Sequence, residues 1–216
     1  PSLILVRTVI GYGAPTVQGT EEAHGKPLSE EELAAAKRYF DWPTMDKFFV
    51  PEAVATAMRQ AVKRGKEMQA ACEVDFAVYG EQYPAEAATL KRMLAGERPA
   101  GWAEKLPQFS DPKGDATRNI SGKVIQVLAA EMPELMGGSA DLAPSNMTEI
   151  KGSPDFSKGH PEGRNLRFGV REHAMGSILN GMVLHGGVVA YGGTFLVFAD
   201  YMRPAIRLAA LMRARP

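Results

Sequence analysis

The sequence predicts an α/β protein with a parallel sheet, and three stretches support this class. Residues 3–10 are apolar and rich in branched side chains, as in a buried parallel strand. Residues 135–136 form a second, brief apolar strand before a glycine-rich loop. Residues 166–201 follow the order strand, helix, strand. Short apolar strands that alternate with helices are typical of α/β folds.

The stretch 166–201 carries the clearest pattern. A short extended piece precedes a helix that opens at residues 171–173, which places Glu172 in its first turn. Apolar residues recur there at three- and four-residue steps until two glycines end the helix. A short apolar strand at 188–191 and two more glycines lead to three rings, Phe195, Phe198 and Tyr201. A Glu in a first turn is favoured by the helix dipole, and rings at this spacing are usually core, so neither feature alone specifies a function.

The first half of the chain contains a glycine loop and several helices. The loop 11–15 contains Gly-x-Gly after the predicted strand, but no third glycine opens a helix, which argues against a dinucleotide site. Ser29 with Glu32 forms a capping-box pattern for a helix over 30–39. Residues 51–96 predict a long helix and then a second one that starts at Pro84.

A proline- and glycine-rich stretch predicts a boundary between two domains. Five such residues fall within positions 97–115, which favours a linker. We expect domains at 1–98 and 116–216, with the linker at 99–115. The second domain opens with a helix to residue 131, with Thr117 as its N-cap and Arg118 in its first turn. We expect a last helix over residues 201–213 and a surface excursion over 151–164.

Composition narrows the possible partners and the compartment. Lysine plus arginine and aspartate plus glutamate both number 25, so no net field marks a nucleic-acid or membrane-surface binder. The single cysteine, Cys72, rules out an internal disulfide and fits a reducing compartment, for which we predict the cytoplasm. No apolar run reaches membrane length and no signal peptide is visible. The opening strand without a preceding helix predicts an internal piece of a longer chain.

Four motifs give the sequence a family resemblance. They are GVREHAMG at 169–176, YGGTFLVFADY at 191–201, GGSADLAPSN at 137–146 and TVIGYGAPTVQGTEEAHGKPL at 8–28. Together, and in their order along the chain, they resemble the thiamine diphosphate enzymes of the transketolase family. The resemblance implies a parallel-sheet thiamine diphosphate-binding fold with two partial domains. These are the end of the diphosphate-binding domain and the first part of the pyrimidine-binding domain.

The resemblance also implies a cofactor site. Thiamine catalysis requires a carboxylate that hydrogen-bonds the ring nitrogen N1′ of the aminopyrimidine, in a place where water is excluded, and Glu172 matches that carboxylate. Phe195, Phe198 and Tyr201 match the ring pocket that stacks on the aminopyrimidine. In the first domain, Ile10 resembles an apolar contact to the cofactor.

Further residues match the family's substrate contacts. His24 resembles the catalytic histidine that contacts both the cofactor diphosphate and the substrate. Arg118 and Ser145 resemble the pair that grips the terminal phosphate of the substrate, where a guanidinium fork suits two oxygens. Asp141 resembles a polar residue near the cofactor.

The implied activity transfers a two-carbon ketol unit from a ketose phosphate to an aldose phosphate. It uses thiamine diphosphate and Mg²⁺, and the family's metal ligands would lie before residue 1, so the fragment alone should bind no metal and be inactive. A homodimer is implied, with sugar phosphates as substrates and with neither nucleic acid nor membrane as partner. Alternatives are a dihydroxyacetone synthase-type enzyme of the same superfamily and a non-catalytic thiamine-fold subunit.

Overall fold

A computed structural model describes residues 3–216 and divides the chain into two compact units. One unit ends at Cys72 and the other begins at Glu73, a boundary that lies within helix α3 (Glu52–Gln82). Each unit is described by itself below. The linker predicted over 97–115 lies further along the chain and contains one turn of 3₁₀ helix, Ala103–Lys105.

The first unit contains two helices before α3, namely α1 (Glu22–Gly25) and α2 (Glu30–Tyr39). The helix predicted over 30–39 is confirmed, and Ser29 caps it by accepting a hydrogen bond from the Glu32 backbone N–H at 3.1 Å. The Glu32 carboxylate does not complete the capping box. It accepts hydrogen bonds from the Thr16 backbone N–H and hydroxyl, at 2.7 and 2.9 Å, and these lower the pKa of Glu32.

The strand predicted over residues 3–10 is wrong for the part of the chain that the structure describes. Residues 3–9 have no regular secondary structure, and Ile10 begins a turn. Leu3 and Leu5 are 91% and 93% exposed. A strand is held by hydrogen bonds to a neighbouring strand. None of the strands within residues 3–216 pairs with this segment, so its apolar pattern alone does not make it a strand.

The second unit is built on a parallel sheet of three strands, which confirms the predicted fold class. Its strands are β1 (Leu135–Ser139), β2 (Asn165–Arg167) and β3 (Val189–Gly193). The order is β2-β1-β3, and β1 is parallel to both neighbours. Ser139 lies beside Arg167 on one side and beside Gly193 on the other, so the three strands end at the same edge of the sheet.

Helices cover both faces of this sheet. The core of one face contains Ile125 and Ala129 from α5 (Thr117–Glu131), packed with Val189 and Tyr191. The opposite face buries Met175 and Leu179 of α7 (Glu172–His185) against Ala190, with Met202 of α8 (Ala199–Met212) beside them. Successive strand residues point to opposite faces, which is why Ala190 belongs to a different core from its two neighbours.

Several helix and strand boundaries differ from those predicted. Helix α5 includes Thr117, and the residue before it, Ala116, provides no side-chain cap, so the predicted N-cap is wrong by one position. The glycines at 137 and 138 belong to β1 and not to the loop after it. Helix α8 begins at Ala199, directly after a 3₁₀ turn over Leu196–Phe198. The remaining helices are α4 (Pro84–Leu94), which starts at the predicted proline, and α6 (Ala143–Asn146).

An ion pair ties α4 to the chain entering β1. The Arg92 guanidinium donates two hydrogen bonds to the Glu134 carboxylate, at 2.6 and 3.0 Å. The Glu134 side chain is only 2% exposed. Burial raises the pKa of the Glu134 carboxyl, but hydrogen bonds from Arg92 and the backbone, together with the charges of Arg92 and Arg98, outweigh burial and hold it below its usual value.

No helix within residues 3–216 is long and apolar enough to cross a membrane.

Candidate functional site

Three chain segments that carry predicted site residues leave the same edge of the sheet. Ser145 follows β1, Glu172 follows β2, and Phe195 follows β3. Open parallel sheets bind ligands in the crevice outside the carboxyl ends of their strands. The topology therefore brings to one edge three residues that are far apart in sequence.

Glu172 is a buried carboxylate at the first position of α7. The residue as a whole is 7% exposed. The turn before it is fixed by Gly169, which has a φ of +66°, and by a hydrogen bond of 3.0 Å from the Arg171 guanidinium to the Phe168 carbonyl. Among residues 3–216 no hydrogen-bond donor or cation pairs with the Glu172 carboxylate. The helix dipole favours the negative charge, and the Glu172 oxygens, which keep some contact with solvent, can accept a hydrogen bond from a ligand.

The three predicted rings form a continuous row after β3, of which the first two are stacked and the third is tilted by 35°. Phe195 and Phe198 are stacked, with centroids 6.1 Å apart and planes 15° from parallel. Tyr201 continues the row at 6.2 Å from Phe198. Phe195 is 40% and Tyr201 65% exposed, so these two rings do not belong to the buried core that their spacing would ordinarily indicate. An accessible face of stacked rings suits a flat aromatic ligand.

A cavity of about 750 Å³ opens between α5, α6 and the end of β3. Arg118, Ser145 and Phe195 all contribute to its wall. Arg118 is the only charged residue among the described residues that line it, and its guanidinium has no ion-pair partner within residues 3–216. The structure thus places the two residues predicted to grip a phosphate around one cavity with one ring of the aromatic stack. Glu172, Phe198, Tyr201 and Asp141 are not among the lining residues that the structure describes.

Asp141 lies at the exit from β1 in a left-handed conformation, with a φ of +64°. Its side chain is exposed. Aspartate tolerates this conformation better than most residues, but a strained backbone beside a ligand crevice is typical of functional sites.

Ile10 and His24 belong to the first unit. Ile10 is 44% exposed in a turn, where its carbonyl accepts a hydrogen bond from the Gly19 N–H at 2.8 Å. His24 is exposed in α1. A cavity of about 630 Å³ in this unit is lined by Tyr12, Phe40 and Trp42, among others, but neither Ile10 nor His24 is in its wall as described. Their predicted roles stay predictions.

Sequence reasoning missed several polar residues of the cavity wall. Asn146, Thr148, Tyr191 and Thr194 all line it, and the Thr194 hydroxyl is buried without a partner among residues 3–216. Asn146 ends the motif GGSADLAPSN, which was its only signal in the sequence. Tyr191 and Thr194 lie in the motif YGGTFLVFADY, which was likewise their only signal. Thr148 carried none, because its contact with Tyr191 joins segments about forty residues apart. Within residues 3–216 no three His, Cys, Asp or Glu side chains are grouped to hold a metal ion.

Two family models match almost the whole chain. The thiamine diphosphate binding domain of transketolase matches residues 1–99, and the pyrimidine binding domain of transketolase matches residues 113–215. Among curated proteins, the transketolase of Geobacillus stearothermophilus is 50% identical over 213 residues, and that of Aquifex aeolicus is 48% identical over 211. Each alignment covers 98% of this chain but only 32% and 30% of the relative, so the chain spans about a third of the length of these proteins.

Solved structures give the same result. Transketolase from Leishmania mexicana has a TM-score of 0.86 and 44% identity over 94% of this chain and 30% of its own. Transketolase from Pichia stipitis in complex with sedoheptulose 7-phosphate has a TM-score of 0.85 and 38% identity, over 94% of this chain and 31% of its own.

Proposed function

Because the chain belongs to the transketolase family, we propose that it forms the middle part of a transketolase. The site described above would bind the aminopyrimidine half of the cofactor. The complete enzyme would transfer a two-carbon ketol unit from a ketose phosphate to an aldose phosphate. The single observation that carries this proposal is Glu172, a residue 7% exposed whose carboxylate has no partner among residues 3–216. We propose domains at 1–98 and 116–216, joined by a linker over 99–115.

The residues of the second unit suit the aminopyrimidine half of thiamine diphosphate. When bound, this cofactor supplies a carbon that loses a proton and then carries the two-carbon unit. The Glu172 carboxylate would hold a proton at the ring nitrogen N1′ of the aminopyrimidine. Phe195, Phe198 and Tyr201 would stack on the ring and exclude water from the carboxylate.

The cavity beside the stack suits a sugar phosphate. Arg118 is an unpaired guanidinium, whose fork matches two phosphate oxygens, and Ser145 can donate a hydrogen bond to a third. Because no carboxylate lines the described wall, an anion would meet no like charge there. We assign Arg118 and Ser145 to the terminal phosphate of the substrate.

Four further assignments belong to the proposal. His24 would contact the cofactor diphosphate and the substrate, Ile10 would contact the cofactor, and Asp141 would lie in its polar surroundings. Mg²⁺ would be held by ligands of the complete protein that this chain does not provide. We also propose a homodimer and a cytoplasmic location, although two plant relatives are named chloroplastic.

Replacement of Glu172 in the complete polypeptide tests the proposal. Glu172→Gln keeps the shape of the side chain and removes its charge, so we expect turnover to fall by a factor on the order of 10² to 10⁴ while the protein stays folded. Glu162→Gln is the matched control, because that carboxylate is 64% exposed in the same unit. Near-normal turnover in Glu172→Gln would remove Glu172 as the activating group.

Two measurements separate the alternatives. Isothermal titration of the complete protein with thiamine diphosphate and Mg²⁺ should release heat, and a non-catalytic subunit that has lost the site should release none. Assays with several acceptors distinguish an aldose phosphate from the acceptor of a dihydroxyacetone synthase.

A further inference from the structure

A closed chain of hydrogen bonds joins the segment after β1 to the end of β3. Its centre is Ser139, which is 3% exposed at the last position of β1. The Ser139 hydroxyl donates to the Gly193 carbonyl at 2.9 Å and accepts from the Asn146 side-chain amide at 2.8 Å. It also accepts from the Leu142 backbone N–H at 3.1 Å.

The series of hydrogen bonds continues from Asn146 back to β3. The Thr148 hydroxyl donates to the side-chain carbonyl of Asn146 at 2.8 Å, and the Tyr191 hydroxyl donates to the Thr148 backbone carbonyl at 2.6 Å. A hydroxyl has one proton, and Ser139 uses its proton on Gly193, so it must accept from the NH₂ group of Asn146. The amide orientation of Asn146 is fixed in this way. Tyr191 and Gly193 are both in β3, so the chain of contacts begins and ends on one strand.

Burial and close packing hold this network in one arrangement. Thr148 is 5% exposed. Burial raises the pKa of Tyr191 to about 12, so its hydroxyl keeps its proton and remains a donor through the neutral range. A Cβ on Gly193 would lie 2.5 Å from Thr148 Cγ2 and 3.3 Å from Asn146 Nδ2, so only glycine permits this approach. Networks with every member paired are typically rigid.

The network lies between two residues of the proposed site. Ser145 directly precedes Asn146 in α6, and Phe195 follows Gly193 by two positions. We propose that Ser139, Asn146, Thr148 and Tyr191 are positioning residues that set the separation between the phosphate contact at Ser145 and the ring stack at Phe195. They would thereby select donors whose phosphate lies at the matching distance from the reacting carbon. This inference rests on the proposed function, because it acts through Ser145.

The test uses two variants of the complete polypeptide that remove one hydrogen bond each, Thr148→Val and Tyr191→Phe. We expect the KM for a phosphorylated ketose donor to rise about three- to tenfold, because the misplaced Ser145 would lose roughly the one hydrogen bond that it donates to the phosphate. The ratio of kcat/KM for the phosphorylated donor to that for a small unphosphorylated ketol donor should therefore fall by about three- to tenfold, because only the phosphorylated donor uses Ser145. Thr148→Ser keeps the hydroxyl and should restore most of the affinity. A lower melting temperature with equal KM changes for both donors would overturn the inference, since a purely structural role predicts that result.

A double-mutant cycle completes the test. If Ser139 acts through Ser145, the variant with both Ser139→Ala and Ser145→Ala should resemble Ser145→Ala alone in its KM for the phosphorylated donor. Independent, additive effects would overturn the inference. The cycle also separates the two proposals. If Ser145→Ala is selective for the phosphorylated donor while the network variants are silent, only the positioning role fails. If Ser145→Ala shows no such selectivity, both the phosphate assignment and the positioning role fail.

Discussion

Gly176 of α7 lies directly against Ala205 of α8. A Cβ placed on Gly176 would be 2.9 Å from the Ala205 Cβ and 2.8 Å from Met202 Cγ. Both distances are shorter than van der Waals contact, so the two helices approach closely because position 176 has no side chain. Asn180, one turn further along α7, fixes the same contact by donating to the Ala205 carbonyl at 2.9 Å. Tyr201 lies in the first turn of α8, so the position of this helix decides where the third ring lies.

Gly176→Ala should destabilise the protein, since the Ala205 Cβ cannot move without its helix. We expect a loss of about 1–3 kcal/mol in the free energy of unfolding, measured by urea denaturation. Gly181→Ala is the matched control in the same helix, because a Cβ there meets no atom within 4 Å. That variant should be neutral or gain up to about 1 kcal/mol from better helix propensity. Equal effects of the two substitutions would contradict the close contact.

Gly122→Ala should disturb the packing of α5 against Met147, the residue that follows α6. A Cβ on Gly122 would lie 2.8 Å from the Met147 Cβ and 3.1 Å from the Met147 carbonyl oxygen. Met147 has a φ of +56°, which suits glycine, so Met147→Gly removes the contacting carbon without opposing the backbone. We expect a cost of about 1–3 kcal/mol for Gly122→Ala alone and a smaller cost when Met147→Gly is already present. Equal costs in both backgrounds would show that Met147 is not the obstacle.

Arg92→Met should be strongly destabilising, because it removes the guanidinium that donates two hydrogen bonds to the buried Glu134 carboxylate. The expected loss is about 3–5 kcal/mol in the free energy of unfolding at neutral pH. Lys105→Met breaks a comparable pair with Glu131, but there the lysine side chain is 57% exposed, and we expect less than about 1 kcal/mol. A similar loss in both variants would mean that the first pair is as well solvated as the second.

The lowered pKa of Asp115, just before α5, should make the melting temperature depend on pH. Hydrogen bonds from Lys123 and Asn119 hold the pKa of Asp115 at about 2, below its ordinary value of 3.8. A carboxyl whose pKa is lowered on folding stabilises the protein above its unfolded pKa, and this contribution is lost as the pH falls through its folded pKa. The melting temperature of the unchanged protein should therefore exceed that of Asp115→Asn at pH 7. The difference should shrink as the pH falls from about 4 to about 2. Lys123→Met should weaken the same pH dependence, and an unchanged dependence would assign it to another group.

Arg118→Ala should impair the use of phosphorylated sugars in the complete polypeptide. Loss of a charge-assisted hydrogen bond predicts a KM increase of about 10- to 100-fold for a phosphorylated donor, with a much smaller change for an unphosphorylated one. Arg118→Lys keeps the charge but not the fork and should fall between the two. Equal changes for both donors would deny Arg118 a phosphate role.

The sequence anticipated the second unit better than the first. The glycine pairs and apolar periods around α7 predicted its limits closely, because each boundary is set by local chemistry. The segment 3–10 failed for the opposite reason, since a strand exists only where a neighbour pairs with it. Gly137 and Gly138 were predicted to lie in a loop. They are part of β1, where the absence of a side chain lets neighbouring residues approach closely. A Cβ on Gly138 would lie 1.9 Å from the Leu166 carbonyl oxygen.

The amino-acid sequence by itself determined the fold class, most helix limits and a set of site residues, because helix caps, glycine turns and side-chain periods are local properties. Only the tertiary structure decided which of those residues share a wall. It brought Arg118, Ser145 and Phe195 to one cavity and left Glu172 buried without a partner within residues 3–216. It also joined Ser139 to Asn146 and Gly193. These relationships depend on parallel strands ending at a common edge, and no local pattern encodes that convergence.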